Sequence, residues 1–544
     1  MGCFLDAGGS PGREGRVESR VGERGNVKKA IVLGLGFLVA ACSSEADPPE
    51  TPTPGTETVA VIPLAPLGDV KTTVDRTYSP KRAPQKASAG PNPSLPESLE
   101  GYVSQGFGEL VEGKGEAYVT RKFASDAPPP AGPNAKRLVR FAHIPDLQLL
   151  DDESPTRLGN FDSPDLTDAA LRPQDAYLCR MTNAAVRTIN ALHKKEPFAF
   201  TLLGGDNADS AQTNEVDWVL GILSGSERVK CDSGADDDPV KGPNNDGKDP
   251  FKADGLAMPW KWVTGNHDVL VQGNLGVGDV KRREALGTAS SSGTRHYENG
   301  LNGAVTRDDV VADERRALLD RKALMSKLAS HGDGHGLGAA EKESGRATYT
   351  FDVEGTPLRF LVIDTAADSG GADGLIRRSE IDRVIKPALD KAKAENKLVV
   401  LSSHHAQQNL TKNGGTFGTD VPDPVLPQDW TDFLGGYPNV VFSMVGHTHA
   451  HRVRPITTSG GRGYWEVMTS AIADFPHEFR VVEIFDQDNG FLMLRGTCVD
   501  FATDGDDVAA EGRKRGVIDL VSGWTPGGVG TADDRNVELW IKKP

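Results

Sequence analysis

RLVRFAHIPDLQ (Arg137–Gln148) decides the fold, because an apolar strand runs without a break into a short turn bearing a carboxylate and an amide. The pattern returns down the chain. Phe198–Leu203 leads to Gly205-Asp206-Asn207-Ala208-Asp209, Trp260–Val263 to Gly265-Asn266-His267-Asp268, Leu398–Leu401 to His404-His405, and Asn439–Met444 to Gly446-His447-Thr448-His449. Loops at the ends of strands in an α/β sheet gather on one edge, where ligands bind. Carboxylates, amides and imidazoles gathered there are the donor mix that a pair of divalent cations requires.

Working outward, Leu178, Met181, Ala185, Ile189 and Leu192 recur at helical steps between the first two strands. Further helices are expected near Asp313–Leu328 and over Ser379–Glu395, with further strands at Ala347–Val353, Pro357–Asp364, Tyr464–Met468, Arg480–Phe485 and Phe491–Leu494. Strands alternating with helices, followed by a β-rich tail, indicate an α/β layered domain. Two excursions, Ser210–Gly255 and Val271–Arg346, interrupt it and carry the expected substrate selectivity. Within the first, Cys231–Gly255 is rich in Asp, Asn, Lys and Gly. It reads as a solvated loop in preference to a calcium site, since it lacks an EF-hand pattern.

The ends are of a different character. Lys28-Lys29 precedes an apolar stretch, Ala30–Ala41, too short to span a membrane and ending Val39-Ala40-Ala41-Cys42, which reads as an export signal. It resembles a bacterial lipobox, which makes Cys42 the expected lipidation site and the membrane a partner through a lipid anchor; Ser43 after it favours an outer membrane. Residues 1–26 are unlike the start of a signal and are expected to precede the true start of translation. The expected division is a leader over 1–42, a Pro/Thr-rich tether and N-terminal arm over 43–135, a catalytic domain over 136–503 and a C-terminal extension over 504–544. Cys179, Cys231 and Cys498 permit at most one disulfide, and Cys179, inside the helical pattern, reads as a buried thiol. With a net charge of −16 and a pI near 5.3 the chain lacks the basic surface that non-specific nucleic-acid binding needs. Phosphorylated substrates remain compatible, since bound metals dominate the local field.

The ordered set Asp146-x-Gln148, Gly205-Asp206-x-x-Asp209, Gly265-Asn266-His267-Asp268, His404 and Gly446-His447-x-His449 resembles the calcineurin-like metallophosphoesterase superfamily over about Arg137–Phe485. Asp146–Pro155, Val271–Asn274 and Trp465–Pro476 are similar to an exported bacterial branch of it. The resemblance implies a four-layer α/β/β/α sandwich of two mixed sheets flanked by helices. It implies that Asp146, Gln148, Asp206 and His449 hold one metal, and that Asp206, Asn266, His404 and His447 hold the other. A bridging carboxylate sets two cations about 3.5–4 Å apart, where a shared water loses a proton and attacks phosphorus in line. His267 would face the substrate as acid or charge stabiliser, with Asp268 orienting it. Asp209 would hold its turn.

Gln148 departs from the superfamily's usual His. An oxygen donor there favours Mn or Fe over Zn, and a similar Asp-x-Gln occurs in manganese-dependent ADP-ribose/CDP-alcohol diphosphatases. Spacing does not separate His404 from His405; the resemblance favours His404. His451 reads as substrate-side or exposed, and His143 as a core histidine. The segment His331–Gly336 reads either as a polar loop or as a lid bringing His335 to the substrate. The expected function is hydrolysis of a small phosphate mono- or diester at the cell envelope. The alternatives are a nucleotide-diphosphate pyrophosphatase and a non-catalytic metal-binding surface protein.

Overall fold

Lys136–Ile144 is a nine-residue strand in the interior of the larger of two mixed sheets. The computed structural model describes residues 59–123, 129–164, 169–297 and 300–544. In chain order its strands are β1 (Arg76–Pro80), β2 (Leu110–Lys114), β3 (Val119–Lys122), β4 (Lys136–Ile144), β5 (Thr201–Leu203), β6 (Trp260–Lys261), β7 (Thr294–His296), β8 (Ala304–Thr306) and β9 (Tyr349–Asp352). They continue as β10 (Leu358–Val362), β11 (Leu398–Ser402), β12 (Val440–Val445), β13 (Arg452–Thr457), β14 (Gly463–Met468), β15 (Glu478–Asp486), β16 (Phe491–Asp500) and β17 (Val537–Lys542).

One sheet has the order β3-β17-β16-β15-β4-β5-β6 and the other β13-β14-β12-β11-β10-β9, while β1–β2 and β7–β8 form separate antiparallel pairs. The period-two alternation of β10 and β11 explains the layering. Leu358, Phe360, Val362, Leu398 and Val400 join the core shared with the larger sheet. Their neighbours Leu361, Val399 and Leu401 pack instead with Ile381, Ile385 and Leu389 of the helical segment 381–394 and with Trp430 and Leu434 of the helix Pro427–Leu434. Phe141 of β4 meets Phe360 edge-on at 5.5 Å between ring centroids, and Phe200 meets it at 5.3 Å, so aromatic rings close the space between the sheets. Burying one such ring contributes roughly 1.5–3 kcal/mol. With the helix Leu178–Lys195 packed beyond the larger sheet, the architecture is α/β with four layers.

Several expectations need correction. The helix expected over Asp313–Leu328 is a short turn at Glu314–Arg316 and a separate helix, Arg321–Ala329. The Asp313 and Asp320 carboxylates cap the two starts, dividing the run. Cys179 is bonded to Cys231 rather than free, because the helix from Leu178 starts beside the first residue of the insertion; among the described residues Cys498 is the buried free thiol. The insertion itself is not simply solvated, since Asp232, Asp237, Asp246, Lys248 and Asp249 are buried. Within 43–135, Thr73 is already packed on the domain, buried with its hydroxyl donating to the Cys498 carbonyl at 2.7 Å. Beyond residue 503, the helix Asp507–Ser522 packs on the Leu178 helix and β17 joins the larger sheet between β16 and β3. Among the described residues no helix is long and apolar enough to cross a membrane. Cys42 and the expected leader lie outside the described residues.

Candidate metal centre

The parallel trio β4, β5 and β6 in one sheet and the parallel trio β10, β11 and β12 in the other direct their C-terminal loops to one place. The loops are tied by backbone. Asp146 N–H donates to Gly205 O at 2.9 Å, Gln148 N–H to Asp206 O at 2.8 Å, and Gly446 N–H, from the other sheet, to His404 O at 2.9 Å. Asp146, Gln148, Asp206, His447 and His449 all have φ between 43° and 79°, the left-handed region that non-glycine residues seldom occupy. Five such residues around one cavity concentrate backbone strain at the site. The loops also approach closely: a Cβ on Gly265 would lie 2.0 Å from Asp206 Oδ1.

Asp206 is central. Its Oδ1 accepts the His267 backbone N–H at 2.8 Å and its Oδ2 lies 2.9 Å from His404 Nε2. His404 Nδ1 lies 2.9 Å from the Gly204 carbonyl, so Nδ1 carries the proton and Nε2 presents its lone pair. Asp146 Oδ1 lies 3.4 Å from His449 Nε2, and the Asp146 carboxylate accepts the His447 N–H. Donors about 2.0–2.2 Å from one cation are necessarily spaced by about such distances.

His405, next in sequence, has no nitrogen to spare. Its Nε2 lies 2.9 Å from Ala372 O and 3.2 Å from Asn266 Oδ1, and its Nδ1 lies 2.8 Å from the Thr365 hydroxyl. Asn266 donates its Nδ2 to Gly273 O at 3.1 Å, which leaves the amide oxygen toward the histidines. Gln148 Oε1 is buried without a hydrogen-bond partner. An orphaned acceptor at that depth is costly unless a cation or donor meets it. The residues present therefore fit a pair of divalent cations, with two carboxylates, two amide oxygens and three imidazoles as donors.

Two roles expected from sequence are exchanged. Asp268 does not touch His267. Its carboxylate accepts the backbone N–H groups of Gly265 (2.8 Å), Asn207 (2.9 Å), Ala208 (3.0 Å) and Asp206 (3.1 Å), and so moulds the Asp206 loop. Asp209 is the partner of His267, with Oδ1 3.0 Å from Nδ1, and its other oxygen accepts from Arg157 Nη1 at 3.1 Å. Burial opposes the charged form of His267, but Asp206 and Asp209 outweigh it and raise its pKa. His449 also has an orienting carboxylate, Asp474, at 2.5 Å from its Nδ1, which in turn meets Arg172 Nε at 3.0 Å. Sequence reasoning assigned Asp474 no role. Its only signal was its place in WEVMTSAIADFP.

The loops enclose a cavity of about 310 Å³ lined by Gln148, Asp206, Asn266, His267, His447 and His449 among others, with Arg172 on its wall. His335 is elsewhere. Its ring stacks on Trp260 with centroids 3.2 Å apart and its Nε2 meets His331, because the segment folds over the β6 edge and not over the cavity. His451 is buried between Glu478 (2.7 Å) and Arg480 (2.9 Å) and does not line the cavity either. His143 is fully buried against Thr469.

No protein-family model matches the chain, and no curated protein matches it. Among solved structures it is similar to a purple acid phosphatase isolated from yellow lupin (Lupinus luteus) seeds, at 11% identity and a TM-score of 0.27, covering 71% of this chain and 55% of that one. The chain thus spans little more than half the length of that structure. A likeness of that size carries no argument about the site, which rests on its own geometry.

The orphaned Gln148 oxygen gives a direct expectation. Gln148→Ala should weaken one metal equivalent, lowering activity at limiting Mn²⁺ and recovering part of it at high Mn²⁺ by mass action. Titrating activity with Mn²⁺ for both proteins checks it, and superimposed curves would show that Gln148 holds no metal.

Proposed function

We propose that the chain is a calcineurin-like metallophosphoesterase, a hydrolase of small phosphate esters working with two divalent cations. The observation that carries this reading is that Gln148, Asp206, Asn266, His447 and His449 line one cavity with His267 on its wall, while Asp146 and His404 meet His449 and Asp206 at 3.4 and 2.9 Å. Asp146, Gln148, Asp206 and His449 would hold one cation. Asp206, Asn266, His404 and His447 would hold the other, with Asp206 shared. The amide oxygen of Gln148 favours Mn or Fe over Zn. When bound, such a pair supplies Lewis acidity toward the phosphoryl oxygens and an attacking water of lowered pKa.

The chain's own residues do the rest. The Asp209 carboxylate accepts a hydrogen bond from Nδ1–H of His267 and favours the imidazolium, whose Nε2–H faces the cavity and gives its proton to the departing oxygen. Asp474 fixes the ring of His449 in the same way. Arg172, neutralised in part by Asp474, places a guanidinium on the cavity wall where an anionic substrate enters.

Apolar groups form the outer wall, and Phe161 and Phe417 stand 66% and 57% exposed there. Exposed aromatic surface at the mouth of a charged cavity suits a substrate whose organic part is flat and apolar. It also supports the second reading, hydrolysis of a nucleotide-linked diphosphate. The deciding experiment is metal analysis beside a screen of aryl phosphates, phosphodiesters and nucleotide diphosphates with Mn²⁺ supplied. Turnover of an aryl or nucleoside ester is expected. A metal-loaded protein that turns over none of them would be a binding protein instead.

Export and lipid anchoring at Cys42 belong to the same proposal, supported by the Ala30–Cys42 sequence and by the Cys179–Cys231 disulfide, which suits an oxidising compartment. Cys42→Ser should move the protein from the membrane to the soluble fraction with unchanged specific activity. Retention in the membrane fraction would contradict the anchor.

A further inference from the structure

The insertion that follows Cys231 carries a second group of metal-type donors, outside the cavity just described. One oxygen from each of Glu153, Asp232 and Asp237 lies within 4.8 Å of the others, and all three residues are buried. Lys248, itself buried, satisfies part of this charge, with its Nζ 2.8 Å from Asp152 and 2.7 Å from Glu153. Lys230 meets one oxygen of Asp232 at 2.7 Å. Asp232 Oδ1 and Asp237 Oδ2 nevertheless remain buried and accept no hydrogen bond from any N–H or hydroxyl, and the two residues are 1% and 7% exposed. Burying a carboxylate oxygen without a donor or a cation is among the most expensive arrangements in a folded chain.

A neighbouring trio on the same insertion, Asp238, Asp246 and Asp249, makes a useful contrast. Its Asp246 and Asp249 carboxylates accept the backbone N–H groups of Val240, Asn245 and Lys248 and need nothing more.

We propose that Glu153, Asp232 and Asp237 form a structural site for a hard divalent cation, calcium first, distinct from the catalytic pair. The donor set is entirely carboxylate oxygen, without the imidazole or thiolate that draws zinc or copper. A cation there offsets the charge of the buried Asp232 and Asp237 carboxylates and joins the insertion to the segment that leads out of the Gln148 turn. That segment carries Arg157, whose guanidinium holds Asp209 at 3.1 Å, and Asp209 holds His267. With the disulfide to Cys179 at the head of the insertion, the cation provides a second clamp on the wall behind the catalytic loops. The clamp is independent of what reaction the cavity performs.

The test uses the full chain with its catalytic metals supplied as Mn²⁺. Calcium binding is counted by equilibrium dialysis with radioactive calcium, and the melting temperature is followed as calcium is added. Wild type should bind calcium and melt at a higher temperature in its presence. Asp237→Asn removes one charge at nearly constant volume and should weaken that binding by about tenfold or more, because affinity follows the carboxylate charge of the site. It should also abolish the thermal shift. Glu153→Gln should behave alike and serves if Asp237→Asn does not fold, while Gln148→Ala, in the catalytic cavity, should leave the calcium equivalent in place.

Absence of calcium binding by wild type at millimolar free calcium would overturn the proposal. So would equal binding by wild type and Asp237→Asn. Stabilisation by Asp237→Asn without calcium would show that a shared proton, not a cation, fills the gap.

Discussion

His267→Ala should lower turnover by roughly 10²–10⁴-fold, the range over which a positioned acid–base group acts, and should leave the metal content unchanged. The His267 side chain reaches the site through its Nε2, 4.0 Å from Asp206 Oδ2, while its Nδ1 is held by Asp209, and its backbone N–H to Asp206 survives the substitution, so no cation depends on the ring. The leaving group gives a sharper readout. An aryl phosphate with an acidic phenol departs without a proton, whereas an alkyl phosphate needs one. The loss should therefore be large for alkyl esters and much smaller for activated aryl esters. Metal analysis with kcat for both classes checks this. An equal loss for the two would show that His267 stabilises phosphoryl charge instead, and loss of a metal equivalent would place it among the ligands.

What could be read from the sequence follows from how each feature is encoded. The strand-then-turn segments are local, since an apolar run and the polar turn after it sit within a dozen residues. The layered α/β architecture, and the turns that carry the seven proposed donors, could therefore be read directly from the chain. Partnerships across loops are not local. Asp209 and Asp268 are each within reach of His267 in sequence or motif, and nothing in spacing says which carboxylate faces the imidazole and which turns back to collect N–H groups. Left-handed φ at Asp206 and the nest of amides around Asp268 decide it, and both arise only when the β5 and β6 loops meet. His335 misled for the opposite reason. A Gly-rich segment with two histidines looks like a mobile lid, but Trp260 on β6 offers its ring a flat apolar face and the segment packs there. The Cys179–Cys231 bond spans 52 residues, and its pairing depends on how the insertion folds back on the helix.

The exchange of roles between the two carboxylates has the largest expected consequence for stability. Asp268→Ala removes the acceptor of four backbone N–H groups, those of Gly265, Asp206, Asn207 and Ala208, in a buried loop. Each buried donor left unmet costs roughly 1–3 kcal/mol, and together they rival the roughly 5–15 kcal/mol that holds a domain folded. The variant should melt far below wild type and lose metal, because Asp206 no longer has a fixed place. Asp209→Asn should act differently. Arg157 keeps its second carboxylate, Asp175, at 3.5 Å, so the loop stays closed and the metals stay bound. His267 loses the charge that holds its Nδ1 proton, and turnover should fall within the same roughly 10²–10⁴-fold span as for His267→Ala. Thermal melting, metal content and kcat on both variants separate the cases. If Asp268→Ala kept its stability and metals while losing turnover, and Asp209→Asn were silent, Asp268 would be the partner of His267 after all.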